Sequence, residues 1–544
     1  MKSKLIIIVS IVLIIMGFYS CEDQLDIEQH GVRDVSNFYK TDEQCLEGLA
    51  AIYYQIETSW RNNDFFITAS LADDAYPGGG ARGNDVNLEE MNEFRHNANN
   101  GRVSELFVLY YTTIYRCKML ISRTDIENGS STQKRCVAEA QVIRAFTYLR
   151  LVSFFGEVPL IAEELSGDFA RPSASLSEIY SQIELDLNNA IASGALLEKE
   201  NASSQLVNVS KQLAQAVLGK AYVYESTFTN VDKWTEARQA LNAVISSGKY
   251  ELFEGDYLDI FHYGGRFSTE SMFETNRLFD SQNLAMDRSL TRLGWRKDRF
   301  KPDQLEVTQS TGLTFCANES YGFMNPTREL YKAFEEMEGE DGYRLNQVMI
   351  SYKQLNEMPL QIGDGNYVYG NAGYFPLKFM TQASERVARN TYATNYMLFR
   401  YAEVLLLAAE AELPEHGGSQ AKVDEYVNMI KARAGIANQP GNYTLEDIQK
   451  EKRLELCFEC TRYPDLVRWG IAAQVLADKG KQVPLLYGLY DGSDNSNQKF
   501  TDTDGYNISW YETSGTGFQT KHEFLPIPQE ELNVNKQISQ HEGW

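Results

Sequence analysis

The sequence predicts a mainly α-helical fold in which a scaffold of packed helical pairs carries long, irregular loop insertions. Two observations predict this fold class. Apolar residues recur at helical spacing through most of residues 41–250. Glycine, asparagine, aspartate and aromatic residues replace that pattern over residues 251–394 and again over 483–523. The chain has 544 residues, of which 43% are hydrophobic, so it can bury a large core without disulfides or metal ions.

Residues 41–250 are predicted to form an N-terminal helical region. The first helix begins at Thr41, because a threonine followed by acidic residues is a favourable helix start. Later helices are predicted over residues 105–123, 132–154, 175–192, 209–225 and 232–246. Alanines that alternate with tyrosine or leucine along these helices resemble tetratricopeptide helical pairs, although no strict repeat is visible. Stacked pairs of this kind present a broad face to a partner protein.

Residues 251–544 are predicted to form a second, C-terminal region. Helical periodicity returns over residues 391–413, 419–434 and 445–470. The loop insertions at about 251–394 and 483–523 flank these helices. Long ordered loops on a rigid scaffold commonly carry binding sites, so we expect a ligand site in such loops.

The N-terminus predicts the cellular location. Two lysines precede an apolar run over residues 5–16 that is too short to span a bilayer, which is typical of a secretory signal. A small residue directly before Cys21 resembles a bacterial lipobox, so residues 1–20 are predicted to be the signal peptide and Cys21 the lipidated residue. Residues 21–40 would then tether a surface-exposed protein to the cell outer membrane. An ordinary secretory signal with a chance cysteine is the alternative.

Charge and composition restrict the ligand. The formal net charge is −24, which repels a phosphate backbone and argues against nucleic acid as a partner. An acidic surface favours solubility and a neutral or cationic ligand. Aromatic residues make up 12% of the chain, with 32 tyrosines, and aromatic rings can stack on the apolar face of a pyranose.

No familiar catalytic motif is present in the sequence. It has no Gly-x-Ser-x-Gly, no His-Glu-x-x-His and no dinucleotide-binding glycine run, and its six histidines form no metal-ligand pair. Cys457 and Cys460 form a Cys-x-x-Cys within a predicted helix, which favours two half-buried thiols over a redox or metal site. Glu403 and Glu410 are candidates for the paired carboxylates of a glycoside hydrolase, but their helical spacing favours polar bridges between packed helices.

A series of separated motifs extends through the chain. The motifs lie at residues 138–160, 171–190, 234–250, 400–411, 428–435, 455–470 and 524–531, and they include Arg400-Tyr401-Ala402-Glu403 and Asp465-Leu466-Val467-Arg468-Trp469-Gly470. Together with the lipobox, these motifs resemble the SusD/RagB family of surface glycan-binding lipoproteins, over about residues 21–544. The sequence departs from the family pattern at scaffold positions such as Phe107 and Cys460. Such departures indicate a divergent branch of the family. The ligand of a relative therefore does not identify the ligand of this chain.

The resemblance implies a function. A SusD-like protein binds an oligosaccharide or polysaccharide and delivers it to a SusC-like TonB-dependent transporter in the outer membrane, without breaking a bond. The resemblance implies no cofactor, and it leaves a bound calcium ion open. Two alternatives also stay open: a peptide-capturing lid with the same kind of transporter, and a surface glycoside hydrolase.

The resemblance also indicates where the ligand would bind. In relatives, loops that correspond to residues 59–104 and 262–325 build the sugar site on the face toward the transporter. We therefore expect stacking by Tyr76, Trp295 and Tyr321, and hydrogen bonds from Asp73, Asp74, Arg82 and Asn84. For each of these residues, packing within its own loop is an equally good expectation.

Overall fold

The computed structural model of the protein describes residues 38–162, 170–277, 292–301, 320–358, 360–380, 385–388, 391–437, 441–489 and 504–544. The predicted signal peptide, Cys21 and most of the predicted tether lie outside these residues. Within them helices predominate and strands are short, so the predicted mainly α-helical class is confirmed.

Helices and short strands follow one another along the chain. The helices are α1 (Asp42–Ser59), α2 (Phe65–Leu71), α3 (Val86–Asn92), α4 (Gly101–Arg123), α5 (Ser131–Phe155), α6 (Leu176–Ala192), α7 (Lys211–Phe228), α8 (Trp234–Ser246), α9 (Arg328–Glu338), α10 (Leu345–Val348), α11 (Tyr352–Glu357), α12 (Tyr401–Ala411), α13 (Gln420–Arg433), α14 (Leu445–Glu455), α15 (Arg462–Arg468), α16 (Ala472–Val475) and α17 (Gln529–Val534). The strands are β1 (Ala75–Gly78), β2 (Ser271–Glu274), β3 (Phe323–Pro326), β4 (Met349–Ser351), β5 (Val368–Tyr369), β6 (Tyr374–Pro376), β7 (Arg386–Ala388), β8 (Thr391–Tyr392), β9 (Met397–Arg400), β10 (Gln482–Leu489) and β11 (Tyr506–Glu512).

Polar caps explain why several helices begin where the sequence predicts. The Thr41 hydroxyl accepts a hydrogen bond from Gln44 N at 3.3 Å, and the Gln44 side chain accepts one from Thr41 N. Ser130 and Ser175 cap helices α5 and α6 in the same reciprocal way. Each cap satisfies backbone amides that the start of a helix leaves unpaired.

The N-terminal helices form the predicted scaffold of packed helical pairs. Helices α4 to α8 each pack against the next in the chain, and α1 packs against α4 and α5. Helices α7 and α8 approach closely at Gly219, where a Cβ atom would lie 2.5 Å from Leu241 Cγ. Helix α12 packs against α8 and α13, and so joins the two regions of the chain.

The structure corrects two predicted helices. The predicted helix over residues 391–413 begins instead with strands β8 and β9, because residues 397–400 pair antiparallel with β2. The predicted helix over residues 445–470 is two helices, α14 and α15, separated by a turn in which Phe458 and Cys460 have φ of 65° and 63°. These left-handed conformations interrupt helical hydrogen bonding.

The Cys-x-x-Cys therefore lies in a turn and not within a helix. Cys457 and Cys460 are both buried and both free thiols. Burial raises the pKa of Cys457 to about 12 and also raises that of Cys460, so both sulfurs stay protonated and unreactive near neutral pH.

A buried ionic cluster holds the C-terminal region together. Its five cations and five carboxylates form one connected network: Arg344, Lys378, Arg400, Lys431 and Arg433 with Glu270, Glu338, Glu451, Glu455 and Glu459. Arg400, at the end of β9, donates to Glu270 at 2.5 Å and to Glu459 at 2.7 Å. The equal number of opposite charges makes burial of so many ions tolerable.

Among the helices of the described ranges, none is long and apolar enough to cross a membrane.

Candidate functional site

The two loop regions predicted to build the site meet in space around residues 75–80 and 320–326. Strand β1 pairs antiparallel with β3, and Gly79 N donates to Gly322 O at 2.8 Å. Gly78 has a φ of +70°, and a Cβ atom there would lie 2.3 Å from Gly322 O. The glycine-rich sequence is therefore required for the close approach of these two backbones.

Asp73 and Asp74 lie next to β1 and are already paired with arginines. Arg462 donates to both carboxylate oxygens of Asp73 at 2.8 and 3.0 Å, and Arg453 donates to Asp74 at 2.8 Å. Burial acts to raise the pKa of Asp73, but Arg453 and Arg462 outweigh it and hold that pKa below its usual range. In this structure the two carboxylates fasten the loop to helix α14 and to the start of helix α15.

Two of the three predicted stacking residues are buried in this structure. Tyr76 is 8% exposed and Trp295 is 3% exposed. The Trp295 indole N–H donates to Pro376 O at 2.9 Å, and its ring lies 5.2 Å from that of Phe375. Tyr321 is half-buried and packs against the core. Ligand contact by these residues, and by Asp73 and Asp74, stays a prediction.

Arg82 and Asn84 remain at the surface. The Arg82 side chain is 32% exposed and donates two hydrogen bonds to Glu93, one of them at 3.0 Å. Asn84 is exposed, and its Oδ1 accepts a hydrogen bond from Gly80 N at 2.7 Å. The side-chain amide of Asn84 is thus held beside the glycine-rich loop, residues 78–80.

A sheet next to this loop presents a row of tyrosines. The sheet is antiparallel in the order β11–β10–β5. Side chains alternate between the two faces of a strand, and the register places Tyr367, Tyr369 and Tyr511 on one face. Tyr487 lies at a bulge in β10, and its ring packs beside that of Tyr367, so these four tyrosines form one surface, the tyrosine face. Tyr511 is 45% exposed, Tyr367 and Tyr487 are half-buried, and Tyr369 is buried.

Two arginines lie over rings of the tyrosine face. The Arg82 guanidinium carbon is 5.5 Å from the ring centre of Tyr511, and that of Arg299 is 5.5 Å from the ring centre of Tyr367. Arg82 also donates to the Tyr369 hydroxyl at 3.4 Å. Burial raises the pKa of Tyr369 to about 12, so this hydroxyl stays protonated.

The opposite side of the same sheet makes the tyrosine face rigid. Leu486 and Ile508 are buried there, and Trp510 packs half-buried against the core. On the outer side the rings of Tyr367 and Tyr487 lie 5.7 Å apart. A surface of tyrosines, bordered by arginines and an exposed amide, can stack on a sugar ring and donate hydrogen bonds to its hydroxyls.

The sequence predicts a ligand site in the loop insertions, but it does not identify the tyrosines at 367, 487 and 511 as part of it. A single tyrosine among 32 carries no signal of its own. The Tyr-x-Tyr of residues 367–369 and the alternation of Tyr506, Ile508 and Trp510 are patterns that predict strands.

A second surface feature is an apolar groove of about 700 Å³ between helices α4 and α17. Tyr115 and Val534 of its lining are 53% and 82% exposed. The lining is mainly apolar and offers few groups that could orient a sugar. The tyrosine face combines rings with polar groups and is therefore the stronger glycan candidate.

The carboxylates considered for hydrolysis are buried and paired. Lys220 contacts Glu403 at 2.6 Å, and Arg468 donates to both oxygens of Glu410 at 2.6 and 2.7 Å. Both pairs bridge packed helices, as their spacing predicts. Within the described part of the chain, no group of three or more histidine, cysteine or acidic residues could hold a metal ion.

Comparison with known proteins finds SusD-like matches for both regions of the chain. The SusD family profile matches residues 331–544, and a profile described as starch-binding associating with outer membrane matches residues 34–223. SusD-like protein P25 of Formosa agariphila is 23% identical, over 97% of this chain and 96% of that protein. A SusD-like protein of Bacteroides ovatus is 24% identical, over 98% of this chain and 94% of its own.

Solved structures agree with this assignment. A laminarin-binding SusD-like protein is 26% identical with a TM-score of 0.72, over 93% of this chain and 100% of that one. Surface glycan-binding protein A from Bacteroides thetaiotaomicron has the same fold, with a TM-score of 0.69 at 22% identity over 93% of this chain and 99% of that one. From the order of its motifs, its helical scaffold and these matches, the chain belongs to the SusD/RagB family.

Proposed function

We propose that this protein is a non-catalytic, lipid-anchored surface protein that binds an oligosaccharide on the tyrosine face and delivers it to a SusC-like TonB-dependent transporter. The observation that carries the proposal is the tyrosine face itself, with Tyr511 45% exposed at its edge. The family membership supports the proposal, as does a similar protein whose name describes laminarin binding.

Stacking on a rigid, half-exposed surface suits capture followed by release. A pyranose would place its apolar C–H face on the rings of Tyr511, Tyr367 or Tyr487, while its hydroxyls meet the Asn84 amide. An open face leaves one side of the sugar in water, so affinity is modest. Modest affinity lets the ligand pass on to a transporter.

A peptide-capturing lid and a surface hydrolase are the competing functions. A peptide would pair its backbone with an exposed strand edge, and β11 is an edge strand of the β11–β10–β5 sheet. A hydrolase needs two carboxylates in one cleft. Glu403 and Glu410 are buried against cations, which favours binding over hydrolysis.

The test is calorimetric titration of soluble protein, from residue 22 onward, with plant, microbial and host oligosaccharides and with a peptide pool. We expect saturable binding to one glycan. Tyr511→Ala should raise its Kd by about tenfold, because loss of one aromatic contact costs about 1–1.5 kcal/mol.

The matched control is Tyr54→Ala, which removes a ring that is 55% exposed on helix α1 and lies outside the tyrosine face. This variant should bind like the unmodified protein. An equal loss of affinity in both variants, or binding of peptides alone, would refute glycan binding on the tyrosine face. Release of reducing sugar during the titration would refute the non-catalytic assignment.

A further inference from the structure

A short basic segment, residues 296–301, borders the tyrosine face. Its sequence, Arg-Lys-Asp-Arg-Phe-Lys, contains four cationic residues and one acidic residue, in a chain whose net charge is −24. Lysine and arginine together account for only 51 of 544 residues, so average composition does not explain this concentration.

Backbone hydrogen bonds fix the basic segment beside the sheet. Phe300 forms an antiparallel bridge with Ile362, and Gly363 N donates to Arg299 O at 2.8 Å. The bridged chain leads directly into Tyr367 and strand β5. Arg299 also donates to Gly80 O at 2.9 Å, which fastens the segment to the glycine-rich loop.

The cations of this segment outnumber the carboxylates that contact them. Arg296 donates to both oxygens of Asp298 at 2.9 and 2.7 Å, while Arg299 shares the same carboxylate at 3.7 Å. Lys301 lies 3.9 Å from Asp364, whose side chain is fully exposed. One carboxylate, that of Asp298, therefore pairs with two guanidinium groups, and three described cations share two carboxylates beside Tyr367.

Arg82, at the other edge of the tyrosine face, differs in this respect. Its guanidinium contacts two carboxylates, those of Glu89 and Glu93. The positive charge there is compensated within the protein. The excess positive charge therefore lies at the edge of the tyrosine face that carries Arg299, where an anionic group of a ligand would contact it.

We propose that the ligand of the tyrosine face is an anionic glycan, one that carries uronate or sulfate groups. This inference rests on the proposed function and names the class of its ligand. Sugar rings would stack on the tyrosines while a carboxylate or sulfate meets Arg299 and Arg296, because guanidinium groups bind planar oxyanions with paired hydrogen bonds. The acidic surface elsewhere does not prevent this, since salt screens charges beyond about 8 Å at physiological ionic strength.

The proposal changes the expectation that overall charge alone gives. A net charge of −24 favours a neutral or cationic ligand, yet the charge next to the candidate site is positive. Contact between ligand and site is decided by the local groups, which screening affects least.

The experiment compares matched pairs of neutral and anionic oligosaccharides by calorimetry, with the full mature chain from residue 22. One pair is tetragalacturonate and its methyl ester, and another is a carrageenan oligosaccharide and its desulfated form. A neutral laminarihexaose and an acidic peptide pool complete the panel. We expect the anionic member of a pair to bind about tenfold more tightly at low salt, with the difference shrinking as salt rises.

Two variants test whether Arg299 binds the anionic group of the ligand. Arg299→Gln should remove most of the preference for the anionic member and leave binding of the neutral member within about twofold. Arg266→Gln is the matched control, because Arg266 lies over the ring of Tyr263 in a similar arrangement, 3.6 Å from its centre, outside the tyrosine face. Melting curves of both variants check that each is folded.

The outcomes distinguish failure of the anionic-ligand inference from failure of the proposed function. Equal, salt-independent binding of neutral and anionic members would overturn the anionic class and leave glycan binding standing. An unchanged preference in folded Arg299→Gln would also overturn it. Binding of the acidic peptide pool alone, or of nothing in the panel, would contradict both.

Discussion

The C-terminal residue, Trp544, packs on two buried histidines. Its ring centre lies 5.1 Å from that of His96 and 5.2 Å from that of His522, and the indole N–H donates to Phe524 O at 3.1 Å. Burial lowers the pKa of His96 to about 3 and that of His522 to about 4, with Lys521 nearby adding to both shifts. Both imidazoles are therefore neutral in the folded protein near neutral pH.

These two histidines contribute a term to the stability that is lost in mild acid. Both folded-state pKa values lie below the ordinary 6.5, so the unfolded chain binds protons that the folded chain does not. The stabilisation is complete above about pH 6.5 and falls as the pH drops toward 4, by about 1 kcal/mol per pH unit for each histidine. Urea unfolding between about pH 7.5 and 5.5 measures this slope.

His96→Phe isolates one of the two contributions. Phenylalanine suits the aromatic surroundings and cannot be protonated, so we expect the slope of stability against pH below about 6.5 to decrease by about 1 kcal/mol per pH unit. Stability at neutral pH should change by no more than about 1 kcal/mol, because the ring volume is similar. The same slope in the variant and the unmodified protein would show that His96 is not responsible.

At the scale of elements, the buried ionic cluster joins strand β9 to helix α14 through Glu455. Burial acts to raise the pKa of Glu455, but Arg433, Arg400 and Arg344 outweigh it and hold that pKa well below its usual range. Arg400 and Arg344 contact its two oxygens at 2.5 and 2.7 Å. Loss of this one carboxylate would leave three buried guanidinium groups short of a counter-charge.

Glu455→Gln should therefore lower the free energy of unfolding by about 3–5 kcal/mol. Glu446→Gln is the matched control on the same helix, because its side chain is 74% exposed and pairs with the exposed Lys450. We expect the control to cost less than about 1 kcal/mol. Urea denaturation of both variants gives the comparison, and similar values would argue that the cluster contributes little.

Local sequence patterns predicted most helices but not the strands between them. Capping residues such as Thr41 and Ser130 define helix starts from their neighbours alone. Strand β9 has only four residues and pairs with β2, more than a hundred positions earlier in the chain. Hydrophobic periodicity carries no information about such distant pairing, so the sequence of residues 391–413 predicts a single helix.

At the scale of the whole molecule, the candidate site also depends on pairing between distant segments, which local sequence patterns do not contain. Motif order was enough to indicate the family and the two loop regions that meet at β1 and β3. The tyrosine face depends on strands from three separate parts of the chain, residues 368–369, 482–489 and 506–512. No single segment predicts that Tyr367 and Tyr487 lie side by side, so only the structure identifies this surface.

The first described residues indicate where the predicted tether would join the helical scaffold. Lys40 Nζ donates to Arg123 O at 3.3 Å, and the Gln133 side chain donates to Lys40 O at 3.0 Å, so the chain enters where helix α4 ends. From Cys21 to residue 38 a fully extended chain would reach about 60 Å. A lipid on Cys21 would thus hold residue 38 within about 60 Å of the membrane.

Cys21→Ser should release the protein from the outer membrane. Three acyl chains anchor firmly, because each buried methylene contributes about 0.8 kcal/mol, and a serine cannot carry the thioether-linked lipid. We expect the variant to lose incorporation of labelled palmitate and to leave the membrane fraction of a diderm host. Cys45→Ser is the control, since Cys45 is a buried free thiol within helix α1 and should leave the location unchanged. Retention of the Cys21→Ser protein in washed membranes, without label, would mean that binding to a membrane partner, and not a lipid, holds the chain at the surface.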